Sequence, residues 1–322
     1  MKRLAAFLLF FVALIPGEGH AQAVVFDRTW GSLGSNPGQF NFPRRLAVGE
    51  GGNVYVADRN NQRIEKFTSL GGFIRTWGRA GSGAGEFDFP FGVDVDGRGF
   101  VYVAERNNNR IQVFTENGTW IRMWGTSGQG PGQFSFPVGI ATNRADRIYV
   151  ADSFNNRIQV FDTTGTFIRM WGTEGALAGQ FDLPLTLAVG HDGTVYASDA
   201  NNHRVQRFSS TGTFLSQWGK YGTADSLFLS PRGIAIDSAD RVFVVDQAAD
   251  LVKAFTADGH FLFCFGGRGT APGLFDRPED VAITPKGEIF VTDPIHNRIE
   301  KFVFSTVPVQ SRSWGRLKGI YR

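Results

Sequence analysis

A carboxylate five residues ahead of an arginine, with amides between them, could polarise a substrate or could simply pin a turn. In "VYVADRNNQRIEKF" (residues 54–67) the pair is Asp58 and Arg63. It returns as Glu105 and Arg110, Asp152 and Arg157, Asp199 and Arg204, and Asp293 and Arg298. One further copy keeps Asp246 but has Leu251 where the arginine belongs. A catalytic group is rarely needed six times in one chain. The same atoms suit a fastener, because a carboxylate can cap turn N–H groups and meet a guanidinium across the turn. The expectation is therefore structural. Asn60, Asn61 and their counterparts are expected to take left-handed backbone, and Asp246 to serve its turn without a cation.

Other reactive groupings fare worse. "GRAGSGAGEF" is glycine-rich but leads into a strand pattern, not into the helix a phosphate cradle needs. No G-x-S-x-G elbow occurs, and the single cysteine, Cys264, has no motif around it and can form no internal disulfide. The expected inventory is no catalytic residue, no metal and no cofactor. Asn117-Gly118-Thr119 is a glycosylation sequon placed in a turn.

The elements that must position these residues follow a 47-residue period. Trp30, Trp77, Trp124, Trp171 and Trp218 are evenly spaced, Phe265 continues the series, and each is followed by Gly. Phe40, Phe87, Phe134, Phe181, Phe228 and Phe275 keep the same interval, as do the prolines from Pro43 to Pro278. Each unit reads as four short strands, a to d: one after the Pro, the "VYVA" segment, the "RIQVF" segment, and "FIRMWG". Gly or Asp marks every a–b turn and Gly the c–d turns, as tight hairpins with positive φ require. Six repeats of four antiparallel strands predict an all-β propeller. Abundant Gly (41) and Phe (31) with few Met (3) agree with that class. The blades fall near 40–77, 87–124, 134–171, 181–218, 228–265 and 275–304, the last completed by 24–30.

The pattern FxxPxGIAVxxxGxVYVADxxNNRIQVF…GxFxxxWG resembles NHL repeats over residues 24 to about 304. The resemblance implies a six-bladed β-propeller. It also implies three kinds of function, since NHL domains include RNA-binding parts of animal regulators, extracellular sensor domains of bacterial kinases, and a metal-dependent amidating lyase. The lyase needs several histidines around a channel metal. Here the register puts His191 and His260 on turns of one face and His203 and His296 on loops of non-adjacent blades, so no three converge. Lyase-like or hydrolytic chemistry is disfavoured on that ground.

The first residues read differently. Lys2 and Arg3 precede the apolar run "LAAFLLFFVALI", Pro16 and Gly17 break it, and Ala21-Gln22-Ala23 supplies small residues for cleavage. Residues 1–23 are expected to be a secretory signal peptide, too short for a comfortable membrane span. Export to the periplasm or beyond would follow, with no span after cleavage and a monomeric product. Residues 24–30 are in phase with the other d strands and are expected to close the ring. Trp314 is out of phase, so 305–322 is expected to be a C-terminal tail.

Strand alternation puts the d–a and b–c loops on one face. These are the longer loops, so a site is expected there. Just after the Pro column come Arg44, Arg45, Phe91, Val138, Leu185, Arg232, Glu279 and Asp280, which should rim the channel; the candidate binding rim is Arg44, Arg45, Phe91, Arg232, Glu279 and Asp280, with Asp94 as a lone acid in the innermost strand. The expected partner is a protein segment or a glycan. A formal charge of +3 does not imply nucleic acid, although Arg44, Arg45, Arg59, Arg79 and Arg106 form a basic sector.

Overall fold

The computed structural model describes residues 11–13, 21–143 and 145–307. Six four-stranded antiparallel sheets are arranged as blades. The first is Pro43–Val48, Val54–Asp58, Arg63–Phe67 and Phe73–Trp77. Blades two to five repeat it, from Pro90 to Trp124, Pro137 to Trp171, Pro184 to Trp218 and Pro231 to Gly266. The sixth combines Val281–Ile283, Ile289–Asp293 and Arg298–Val307 with the N-terminal strand Ala21–Trp30, which pairs antiparallel with Arg298–Val307. A short strand, Phe11–Ala13, adds to that outer edge opposite Gln22–Val24. Two sequence boundaries shift here. Strand c of blade six runs on to Val307, past the expected start of the tail, because Ala21–Ala23 pair with Ser305–Val307. Cleavage after Ala23 would remove those partners and the Phe11–Ala13 strand.

Hydrophobic packing lies between blades. One layer joins Tyr55, Ala57 and Ile64 of blade one to Val93, Val101 and Phe114 of blade two, with Phe87 between them. The six phenylalanines of the Phe40 column are fully buried. Each lies against the Gly that follows a Trp or, at Phe275, against Gly266. A Cβ on Gly78 (φ +100°) would stand 2.3 Å from the Phe87 ring, so the Gly of the Trp-Gly dipeptide is required twice, for conformation and for space. The Trp itself is covered by the c–d turn of the next blade, where a Cβ on Gly165 would lie 2.7 Å from the Trp124 indole. The Trp-Gly and c–d glycine columns are thus blade-to-blade packing.

The innermost strands share a bulge. In blade one, Pro43 pairs with Asp58 but Leu46 pairs with Val56, so the register shifts across Arg44 and Arg45. Equivalent shifts follow Pro90, Pro137, Pro184 and Pro231. A bulge re-aims side chains, and here it divides them between the mouth of the ring and its channel.

Candidate functional site

The repeated acid and arginine form a loop clamp. Arg157 donates through Nε to Asp152 (2.7 Å), and its remaining N–H groups go to the carbonyls of Gln129, Gly130 and Gln133 in the preceding d–a loop. Asp152 also accepts from the Ser135 N–H and the Asn155 amide. Arg63, Arg110, Arg204 and Arg298 repeat this pattern around Asp58, Glu105, Asp199 and Asp293. Asp58 and its counterparts are fully buried and their partners saturated, so no acid or base in this set is available to a substrate. Blade five corrects the expectation of a lone Asp246. Lys253, two positions beyond Leu251, reaches it at 3.0 Å and also donates to the Leu227 carbonyl. The cation moves by two residues because strand side chains repeat with period two, a compensation visible only once register is known. The left-handed residue is also not Asn60 or Asn61 but the next one: Gln62, Asn109, Asn156, His203, Asp250 and Asn297.

That next residue links neighbouring blades. The side chains of Asn297, Gln62, Asn109, Asn156 and Asp250 accept the N–H of Phe42, Phe89, Phe136, Leu183 and Arg277 respectively. Each of these N–H donor residues precedes a proline yet has φ between 52° and 64°. Bulky residues avoid that region, and a following proline ordinarily favours extended backbone. The inter-blade hydrogen bonds offset the strain and hold these residues around the mouth.

The column at position 159 adds an amide. Gln159 donates to the Gln133 carbonyl and Asp152 and accepts the Gly132 N–H. Blades one and six carry Glu65 and Glu300 instead, which have no amide hydrogens to offer. Burial pushes both carboxyls up to about 7, with Asp58 and Asp293 adding repulsion against the pull of Arg63 and Arg298. A folded-state value raised above the ordinary 4.5 means the native state binds the proton more tightly. The stability from that proton is complete below about pH 4.5 and declines as pH rises through 7. Replacing both with Gln is expected to flatten urea midpoints between pH 5 and 8 and to raise stability at pH 8 by on the order of 2–3 kcal/mol. Parallel curves for the wild type and the double variant would refute this origin.

The candidate rim residues separate into two levels. Arg44, Phe91, Arg232 and Glu279 line a cavity of about 360 Å³ at the mouth. Arg45, Asp94 and Asp280 lie lower, in a channel cavity of about 190 Å³. Arg45 and Asp280 are therefore not rim residues: both are almost fully buried and paired with each other at 3.2 Å across the seam of blades one and six. Asp94 accepts from the N–H (2.6 Å) and hydroxyl (2.9 Å) of Thr142, and burial raises it to about 6. It is a hydrogen-bonded channel acid.

The mouth mixes apolar side chains with arginines. Val138, Leu183 and Leu185 line it with Phe91 and half-exposed Phe154. Arginines from blades one, two, five and six line the same cavity, Arg44, Arg106, Arg232 and Arg277, with one lining carboxylate, Glu279; Arg44 lies over Phe91 and Arg106 over Phe154. Arg44 holds Glu279 at 2.7 Å and Gln247 donates to the same oxygen. Burial opposes ionisation of Glu279, but Arg44, Arg45 and Arg232 outweigh it and keep the carboxyl below its usual range. Arg59 and Arg106 lie over Phe89 (4.4 Å) and Phe136 (4.9 Å). The sequence pointed to Arg44, Phe91, Val138, Leu185, Arg232 and Glu279 after the Pro column but not to Arg277 or Phe154. Their signal was the departure of each from its column, on loops whose convergence only the closed ring defines.

The histidines stay apart. His191 meets Asp240 on the short-turn face, His203 meets the Leu229 carbonyl and His296 meets Asp293. Among the described residues no three His, Cys, Asp or Glu side chains are placed to hold a metal ion.

Comparisons with known proteins agree on architecture. A family model described as a 6-bladed beta-propeller matches residues 93–170, and the NHL repeat model matches 40–67 and 181–208. The human E3 ubiquitin-protein ligase TRIM32 is 48% identical over 50 residues, which is 16% of this chain and only 8% of that protein. A Bacteroides thetaiotaomicron protein of unknown function superposes with a TM-score of 0.67 at 18% identity, over 89% of this chain and 76% of that one. A virginiamycin B lyase from Staphylococcus aureus, solved with quinupristin, gives 0.60 at 20% identity over 91% and 90%. At such identities the likeness is one of fold.

Proposed function

We propose that this chain, an NHL-repeat six-bladed β-propeller, is an exported binding module that recognises a protein segment at the mouth formed by its d–a and b–c loops. The observation that carries this reading is the mouth cavity, lined by apolar side chains and a set of arginines, in a molecule whose other repeated charges are spent on fastening loops. A concave, mostly apolar site with a few convergent polar groups is the usual form of a recognition site. A glycan is the weaker alternative, because sugar hydroxyls need acceptors as well as donors and the mouth offers chiefly guanidinium and hydrocarbon. The separated histidines support binding over lyase-like chemistry.

The test uses acetylated, amidated hexapeptide pools passed over immobilised protein, with retained peptides identified by mass. Selective retention is expected, lost in Phe154→Ala and kept in His260→Ala on the opposite face. Both changes are at exposed or partly exposed positions, so melting temperatures are expected to stay close to the wild type. Retention that follows His260 would move the site to the other face. Selective retention by a glycan array alone, or one zinc per chain with activity lost in His296→Ala, would replace the reading.

A further inference from the structure

The arginines of this protein fall into two populations. Those of the loop clamp are saturated: Arg204 meets Asp199, Gln217 and the carbonyls of Ala176, Leu177 and Gln180. Those at the mouth are not. Among the described residues the guanidinium groups of Arg59, Arg106, Arg232 and Arg277 make no hydrogen bond or ion pair, and the Nε atoms of Arg59 and Arg232 are buried without a partner. A guanidinium can give five hydrogen bonds, and withdrawing one from water without an acceptor is costly; that cost falls on Arg59 and Arg232, whereas Arg277 is exposed. The crowding adds to the cost. Burial, then the charges of Arg44 and Arg106, pull Arg59 down to about 10, and Arg232 is lowered by burial against the attraction of Glu279. Glu279 attracts Arg232 but makes no hydrogen bond to it: Arg44 and Gln247 hold one of its oxygens, and the other is buried without a hydrogen-bond partner.

The molecule thus holds unspent donors around a cavity that Val138, Leu185 and Phe154 also line, with Arg106 lying over Phe154. Resting on the binding role above, we infer that the mouth is a site for an amphiphilic anion: a carboxylate of a protein segment, taken by Arg106, Arg232 and Arg277, next to an apolar side chain laid on Val138, Leu185 and Phe154. A bidentate carboxylate supplies planar acceptors in the spacing a guanidinium presents. The neighbouring hydrocarbon distinguishes this ligand from a simple polyanion, which would leave the apolar side chains wet. The strained residues Phe42, Phe89 and Phe136 support the same reading, since all three carry cations on their ring faces and so hold Arg44, Arg59 and Arg106 in place.

The experiment reads composition and not one guessed sequence. The hexapeptides retained by wild-type protein are expected to be enriched in Asp or Glu beside Leu, Ile or Phe. For one retained peptide, titration calorimetry is expected to show Arg232→Gln and Arg106→Gln each weakening binding by about ten- to hundred-fold. Changing the peptide's own Glu to Gln should cost as much, and the Arg variants should then make little further difference. Val138→Asp is expected to abolish retention, and melting curves report whether each variant is folded. Retained peptides without acid enrichment would overturn the charge assignment while leaving peptide binding at the mouth intact. Failure to retain any peptide would overturn both. A twelve-residue oligouridylate that binds more tightly than the best acidic peptide, and is equally weakened by the Arg variants, would reassign the arginines to nucleic acid.

Discussion

Deletion of residues 24–34 is expected to abolish the folded ring, with the product aggregating or lacking a cooperative melting transition. The segment contributes strand d of blade six, with Val24 opposite Phe304, Phe26 opposite Phe302 and Trp30 opposite Ile299. Its loss strips three kinds of support at once. The long strand Arg298–Val307 would become an unpaired edge rich in apolar residues, a template for association. Phe26 would leave Phe302, and Val24 would leave the cluster of Phe243, Phe263 and Phe302. Trp30 would vacate the space between Phe67, Phe290 and the Gly71 turn, uncoupling blade six from blade one. Removing a fully buried large aromatic costs about 3–5 kcal/mol; Phe26 and Trp30 are partly buried, but their loss together with a row of ladder hydrogen bonds would consume much of the roughly 5–15 kcal/mol that typical domains possess. Truncation at Val307 keeps every one of these contacts and is expected to change the melting temperature little. If the C-terminal truncation unfolds the protein while the N-terminal one is tolerated, ring closure belongs to the other end of the chain.

Arg157→Ala is expected to cost about 3–5 kcal/mol, the range for breaking a buried ion pair. Asp152 would remain fully buried with its charge uncompensated, and the Gln129, Gly130 and Gln133 carbonyls would each lose a donor. Lys253→Ala should behave alike, although Leu251 stands where the other blades have the clamp arginine, because Lys253 meets Asp246 in the same enclosed setting. Arg79→Ala is the control. Its pair with Glu86 is 2.8 Å long, but the arginine side chain is 81% exposed, so an effect within about 0.5 kcal/mol is expected. Chemical denaturation of the three variants distinguishes the cases. Equal midpoints for Arg157→Ala and Arg79→Ala would mean that the clamp does not hold the fold.

The amino-acid sequence by itself determined the architecture and the role of its most repeated residues. A fixed 47-residue period needs no tertiary information to be seen, and the positive φ of Gly52, Gly99, Asp146 and Gly193 follows from hairpin geometry, which is local. The pairing of Asp152 with Arg157 is local too, five residues across one turn. What the chain could not disclose alone depends on which distant positions meet. Lys253 replaces an arginine missing two positions away, and only strand register reveals it. Arg45 and Arg44 are adjacent in sequence, yet the bulge after Pro43 sends one to the channel and the other to the mouth. Arg106 and Arg232 are separated by more than two repeats of chain and line one cavity because the ring closes on itself. Periodicity describes what every blade shares, whereas a binding site in a repeat protein is made from what each blade does not share, and only the tertiary structure brings those differences together.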